Sequence, residues 1–336
     1  MSRKCRLLTP IAAGIALALV AQHSATGSEL PPVEEAVFFG DSLTDAGTFG
    51  VRFTTASGLI WAQLMAKSYG QSTQPNEHLD SFSGAFKGNH GKPGPGGLNY
   101  AEGGARVALP FSNISDDPEG TPISATVQLQ HFLTQYGAFK PNQIVLLYIG
   151  TNDVGYDYDP QNNLTLARQL RKDVFPDHAI FQAEQARVEV AADATIGIVA
   201  KLLNSGAKRV VLFELPDMGE LPWFQTRASQ MFATQLARAF NRRVSAGLPA
   251  NAAILVIKMQ NFVNELLQHQ RTYGIKHGAH EDACRVPEQD FCDLTSLAAP
   301  DADQTYIFAA AEHLTTRANE LLASYVMRQI SQSSLR

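Results

Sequence analysis

Ala36-Val37-Phe38-Phe39-Gly40-Asp41-Ser42-Leu43 is the stretch that decides the fold. A short, continuously apolar run that ends in a glycine-containing turn reads as a buried strand that delivers a side chain to the C-terminal edge of a sheet. The delivered side chain is the Ser42 hydroxyl, with Asp41 before it and Thr44-Asp45 after it. Three similar runs follow, Ile144–Ile149, Arg209–Phe213 and Ala253–Ile257. None alternates polar with apolar, so each is expected to be covered on both faces. Between the last two runs, Phe232, Leu236, Phe240 and Val244 recur every four residues and predict one face of a helix. Gln185–Leu203 is also helical in composition, with Val188, Ala192, Val199 and Leu203 inward and Gly206 as a stop. A last helix is expected from about Thr315 to about Ile330, capped by Thr315 or Thr316. Strands alternating with helices imply a single α/β domain, a parallel sheet with helices on both faces. No repeat and no linker divides it. Three irregular segments, about Gln71–Gly97, Gly155–His178 and Thr272–Pro300, are expected to lie over the sheet edge, where sites are built.

The amino terminus does not belong to this pattern. Arg3, Lys4 and Arg6 precede an apolar stretch from Leu7 to Ala21, followed by small residues. This is the layout of a secretory signal peptide, with cleavage after Ala21 or after Gly27, and a mature domain from residue 28 to 336. The stretch is short for a membrane span, and Cys5 lies ahead of it, so it is not placed for lipid attachment at a mature terminus. The chain carries a net charge of −5; losing residues 1–27 removes three basic and no acidic residues and leaves 24 basic against 32 acidic, a net −8. An acidic chain has no electrostatic reason to bind nucleic acid. No later segment reaches transmembrane length. Export to a periplasmic or extracellular compartment is expected, and there the two remaining cysteines, Cys284 and Cys292, read as a disulfide closing a small loop, with two free thiols as the alternative.

Three further landmarks follow Ser42. Asn99-Tyr100-Ala101-Glu102-Gly103-Gly104-Ala105 places paired glycines after a short apolar step, either a tight turn or a place where backbone N–H groups face a cavity. Gly150-Thr151-Asn152-Asp153 ends the run Ile144–Ile149, and Asn152 is either a turn or cap residue or a side-chain donor to a bound oxygen. His313 precedes the last predicted helix and is the candidate base among nine histidines. His277 and His280 beside Glu281 and Asp282 have only loose spacing for a metal. The residues imply no metal and no cofactor.

In this order the segments resemble the GDSL esterases and lipases, the SGNH hydrolase superfamily, from Val37 to about Tyr325. Gly40–Gly47 is similar to the family's first block, which makes Ser42 the nucleophile. The second and third blocks imply an oxyanion hole formed by the Ser42 and Gly104 amides and the Asn152 side chain. Leu212–Gly219 is similar to a structural strand-and-turn segment of a subgroup that holds secreted bacterial esterases, phospholipases and glycerophospholipid acyltransferases. The resemblance implies a flavodoxin-like single domain. It also implies an acyl-enzyme mechanism on a small-molecule or lipid ester, with His313 as base. A G-x-S-x-G elbow is absent, because Leu43-Thr44 follows Ser42, which argues against the larger α/β-hydrolase class.

The fifth block departs from the family. Asp-x-x-His is expected, and Ala310 stands three residues before His313. The third triad member is therefore open. Glu312 is expected to point away, being adjacent to His313; Asp301 and Asp303 reach only if the loop folds so; a backbone carbonyl near Ala310 can accept from Nδ1. The function expected is a secreted serine ester hydrolase. The alternatives are a phospholipase or acyltransferase of the same family, or an ester- or lipid-binding protein with impaired catalysis because of Ala310.

Overall fold

The computed structural model describes residues 30–79, 92–94, 96–110, 122–286 and 290–336. The expected signal peptide, residues 1–27, and its candidate cleavage sites lie outside these residues. From Pro31 onward the chain is one compact unit.

Four parallel strands form the main sheet: β1 (Glu35–Gly40), β4 (Gln143–Tyr148), β5 (Val210–Glu214) and β6 (Ile254–Lys258), in that spatial order. Each lies within a residue or two of the apolar run that predicts it. Ala36–Phe39 pair in parallel with Ile144–Leu147, and all eight residues are essentially inaccessible, as strands covered on both faces require. A further short segment extends the sheet. Residues 98–100 run parallel to β1, with the Phe38 amide donating to the Leu98 carbonyl and the Tyr100 amide to the Phe38 carbonyl, both at 2.9 Å. Counting this stub as the second strand in the chain gives the order 2-1-3-4-5, that of a flavodoxin-like sheet. The order reverses between β1 and β4, and the loops leaving those two strands carry Ser42 and Asn152. A crevice at the carboxyl ends of strands, at such a switch point, is where doubly wound sheets bind ligands.

Helix α1 (Trp61–Ser68) packs with the last helix, α10 (Thr316–Ser331), in one layer. In the other, α2 (Ala125–Tyr136) packs with α5 (His178–Asn204), and α5 with α6 (Arg227–Gly247). Phe232, Leu236, Phe240 and Val244 all face the core, and Thr315 caps α10 through the Ala318 amide. Two helices exceed what periodicity shows. Helix α5 begins at His178, capped by Asp177, and α4 (Leu164–Arg171) occupies part of a stretch expected to be irregular, capped by Asn163. In both cases a side-chain cap, rather than a long apolar stripe, sets the start. Helix α3 (Thr151–Gly155) follows β4 directly, and α7 (Met259–Gln268) with the single turn α8 (Gln270–Tyr273) follows β6. Residues 77–78 (β2) and 92–93 (β3) pair as a short ribbon. After the turn α9 (Ala302–Thr305), a small hairpin, β7 (Phe308–Ala310) and β8 (His313–Leu314), leads into α10. No helix among the described residues is long and apolar enough to cross a membrane.

Candidate active site

Gly40 has no room for a side chain, since a Cβ there would lie 2.4 Å from the Tyr148 carbonyl oxygen. The chain leaves β1 at this close approach to β4. Gln128 of α2 clamps the point: its Oε1 accepts from the Gly40 amide at 2.9 Å and its Nε2 donates to the Gly40 carbonyl at 2.8 Å. The Asp41 carboxylate accepts from the Leu43 amide, and the buried Trp61 indole donates to the Leu43 carbonyl at 2.8 Å. Ser42 is thereby held at the mouth of the crevice.

The second block is tied to the first. Asn99 donates to the Thr44 carbonyl at 2.7 Å, and Asp45 accepts from the Gly47, Thr48 and Gly103 amides. With Gly103 so anchored, Gly104 turns at φ +84°, a conformation that favours glycine. Neither the Ser42 amide nor the Gly104 amide donates to another described residue. Asn152 donates one N–H to the Ala105 carbonyl at 3.0 Å, which leaves its second N–H for a ligand. Asp153 receives the Val107 amide at 2.9 Å and Arg106 Nε at 3.1 Å, a buried pair that docks the second block on the third.

His313 Nε2 lies 2.8 Å from Ser42 Oγ. The imidazole is buried, with the Phe53 ring stacked on it at 5.1 Å between centroids. Burial lowers its pKa to about 3, partly offset by the Ala310 backbone. The ring is therefore neutral at ordinary pH. With the proton on Nδ1, toward the Ala310 carbonyl, Nε2 is free to accept from Ser42. Yet among the described residues Nδ1 reaches no acceptor at full hydrogen-bond geometry, and no carboxylate meets it.

Ala310 pairs with His313 across the β7–β8 hairpin and is wholly buried in a small apolar cluster with Ala283, Cys284 and Leu297. Asp301 is exposed and bound to Lys276 at 2.6 Å, and Asp303 pairs with Gln304, so neither serves His313. Glu312 departs from expectation. Its Oε1 lies 3.8 Å from His313 Nε2, the same nitrogen that faces Ser42. Strand alternation does not apply to it, because it sits in the turn, after Ala311 at φ +54°. Burial, and the charges of Asp290, Asp41 and Asp282, hold its pKa well above the usual carboxylate range.

The hairpin has its own brace. Asp282 accepts from the Ala311 amide at 2.9 Å, and the Ala283 and Cys284 amides donate to the Phe308 and Ala309 carbonyls. Cys284 is disulfide-bonded to Cys292, and the Ala56 amide donates to the Cys292 carbonyl at 2.7 Å. His277 binds Glu281 and stacks on Tyr306 instead of gathering ligands. Among the described residues no group of three or more His, Cys, Asp or Glu is placed to hold a metal.

Ser42, Gly104, Asn152 and His313 thus line one cavity of about 480 Å³. Sequence reasoning missed Gln128, Asp282, Arg106 and the orientation of Glu312; only the paired glycines and the disulfide hinted at this framework. The arrangement presents a hydroxyl on a neutral imidazole beside three N–H groups available to an oxyanion, the layout acyl transfer requires.

The GDSL-like lipase/acylhydrolase family model matches residues 37–326, and the chain belongs to that family. The family places it among carboxylic ester hydrolases. Its relatives include a phosphatidylcholine-sterol acyltransferase of Aeromonas hydrophila, 23% identical over 325 residues, spanning 95% of this chain and 85% of that protein. An uncharacterized protein from the trpE-trpG intergenic region of Pseudomonas putida is 26% identical over 297 residues, 82% of this chain and 44% of that one. Among solved structures, the acetylxylan esterase Axe2 of Geobacillus stearothermophilus matches at 15% identity and a TM-score of 0.39, covering 91% of this chain and 98% of the enzyme. A point variant of the same enzyme matches at a TM-score of 0.42, covering 92% and 99%.

Proposed function

We propose that this protein is an exported serine ester hydrolase that works through an acyl-enzyme on Ser42. The observation that carries the reading is the 2.8 Å approach of His313 Nε2 to Ser42 Oγ. As Ser42 Oγ bonds to the ester carbonyl carbon, its proton moves to His313 Nε2. The carbonyl oxygen becomes an oxyanion facing the Ser42 and Gly104 amides and Asn152 Nδ2. The carbonyl re-forms as the carbon–oxygen bond to the alcohol breaks, and the leaving alkoxide takes the proton from Nε2. Water then repeats the sequence and releases the acid. Similarity to an acyltransferase over most of the chain favours a second reading, in which another alcohol replaces water in the last step. Turnover of p-nitrophenyl acetate and butyrate by the wild type, lost by roughly 10⁴-fold or more in Ser42→Ala with an unchanged circular dichroism spectrum, is the expected result. Equal turnover in the variant, or none in the wild type, overturns the reading. Added alcohols that yield new esters would favour transfer over hydrolysis.

A further inference from the structure

His313 holds its tautomer loosely. Among the described residues Nδ1 meets no acceptor at full geometry, and the support it has comes from the Ala310 backbone. The ring itself is fixed. Phe53 stacks on it with 26° between the planes, and Nε2 stands 2.8 Å from Ser42 Oγ. What Nε2 offers Ser42 therefore depends on which nitrogen carries the proton, and that depends on what each nitrogen faces.

Glu312 faces the nitrogen that matters. Its Oε1 is 3.8 Å from Nε2, and its side chain is only 8% exposed. The hairpin presents it there through an uncommon backbone. Ala311 turns at φ +54°, and Asp282 holds the Ala311 amide at 2.9 Å. Such a conformation persists only where the surrounding structure imposes it. Acids approach the Glu312 carboxyl from three other segments: Asp41 from the turn after β1, Asp282 from ahead of the hairpin, and Asp290 from the disulfide loop. Tyr148 of β4 also lies within reach of its charge. Glu312 lines a second, small pocket of about 20 Å³ as well, with Leu43, Met218, Met259 and Val263. Arg171 is the cation lining the active-site cavity, and it is exposed over the Tyr158 ring. Burial and the three like charges hold Glu312 neutral well above the usual carboxylate range, and its own backbone amide offsets them only in part.

A neutral carboxyl leaves the Nδ1–H tautomer in place. A carboxylate does not, because it accepts a charge-assisted hydrogen bond, roughly twice as strong as a neutral one. Glu312 loses its proton to solvent, and the single ring proton moves from Nδ1 to Nε2. Nδ1 is left bare, and the imidazole stays uncharged. Nε2 then donates to Glu312 and no longer accepts from Ser42.

We infer that Glu312 is a positioning residue for His313: neutral, it leaves Nε2 as the acceptor for Ser42; ionised, it draws the ring proton to Nε2 and withdraws the base. The inference deepens the hydrolase reading and rests on it only for the consequence at Ser42.

Protein labelled with nitrogen-15 in its histidine rings reports the tautomer directly, because protonated and bare ring nitrogens resonate far apart. The His313 signals are those lost in His313→Gln. From about pH 6 to about pH 10 the wild type should pass from the Nδ1–H to the Nε2–H form, with kcat on p-nitrophenyl acetate falling at least about fivefold over the same midpoint. Glu312→Gln keeps the size and stays neutral, so it should hold Nδ1–H throughout and lose that alkaline limb. Asp290→Asn removes one of the like charges, so both midpoints should move to lower pH with the plateau kcat unchanged. A tautomer that does not change in the wild type, or a change that neither variant moves, overturns the inference. So does a change of tautomer that leaves kcat untouched in an active enzyme. If no ester is turned over, yet the change is seen and is lost in Glu312→Gln, the hydrolase reading fails and the inference about His313 stands.

Discussion

The Ser42 side and the His313 side of the candidate site are built to different standards. Around Ser42 the backbone is tied at nearly every residue: Gln128 on Gly40, Asp41 and Trp61 on Leu43, Asn99 on Thr44, Asp45 on Gly47, Thr48 and Gly103. The Ser42 and Gly104 amides donate to no other described residue, and on the proposed reading they are the ones a developing oxyanion needs. On the other side His313 hangs from a two-stranded hairpin braced by Asp282 and the Cys284–Cys292 loop. Its inner nitrogen meets no carboxylate among the described residues. On the proposed hydrolase reading, the contrast teaches that this chain keeps the oxyanion half of the apparatus in full and the base half in reduced form. Electrostatic preorganisation is usually the largest single contribution to such catalysis, so the first half has most to lose by mutation.

That comparison is broken most directly at Asn152. Asn152→Ala removes one of the three donors and should lower kcat by roughly 10²–10³ with little change in KM. Steady-state kinetics on a chromogenic ester checks it. A change confined to KM would mean that Asn152 holds the ground-state substrate and that the well-bonded half is scaffold rather than catalyst.

The buried carboxyls, Glu312 beside His313 among them, and the buried imidazole should answer pH with opposite signs. The Ser42 side buries carboxyls whose pKa values are raised, Asp41 to about 7 and Glu102 to about 8, in both cases chiefly by desolvation. Between their unfolded and folded values the native state binds the extra protons, so stability is lost as pH rises through 7 and 8. The His313 imidazole is lowered to about 3, so its contribution is lost instead as pH falls below about 6.5. From pH 6.5 to 8.5 only the first effect operates, and stability should drop by on the order of 1–2 kcal/mol, a fall of a few degrees in Tm. Calorimetric scans across that window test it, and Glu102→Gln, which keeps an acceptor for the Ile123 amide, should flatten the slope. A slope unchanged in that variant would show that the buried acid does not set it.

How much of this was legible beforehand follows the same division. The four main strands, Ser42, Asn152 and His313 are written locally, in continuous apolar runs and in the residues that end them. The pairing of Cys284 with Cys292 was legible because one even pair remains once Cys5, in the expected signal peptide, is set aside. Gln128 was not, because a glutamine in a helix looks like surface until the strand it clamps is known. Glu312 was misjudged because its adjacency to His313 was taken to turn its side chain away, whereas it sits in a turn that brings the carboxyl back toward the ring. Asp282 was weighed as a metal ligand by spacing, whereas its carboxylate anchors the turn ahead of His313. These are tertiary facts, fixed by what packs where rather than by a residue's neighbours in the chain.

The reduced half can be rebuilt, and the attempt sharpens the comparison. In Ala310→Asp a carboxylate enters the place opposite His313 in the hairpin. Should it reach Nδ1, it would hold the productive tautomer and stabilise the imidazolium that forms as Ser42 attacks. The gain should be about tenfold in kcat, well short of the ~10⁴ that a triad acid is worth where the whole site is built around it. Two features limit it. Ala310 is packed against Ala283, Cys284 and Leu297, so a charged side chain there carries a desolvation cost and lowers Tm. Glu312 already lies 3.8 Å from Nε2 and adds a second acid beside the same ring. The diagnostic readout is the acid limb of the kcat–pH profile. A carboxylate at Nδ1 raises the imidazole pKa from its depressed value, so the limb should move to higher pH in Ala310→Asp and stay put in Ala310→Asn, which matches the size without the charge. A kcat that is flat or lower in the aspartate variant, with no displaced limb, would mean that the hairpin holds its base productively through the backbone alone, and that the His313 side is simpler than the Ser42 side without being weaker.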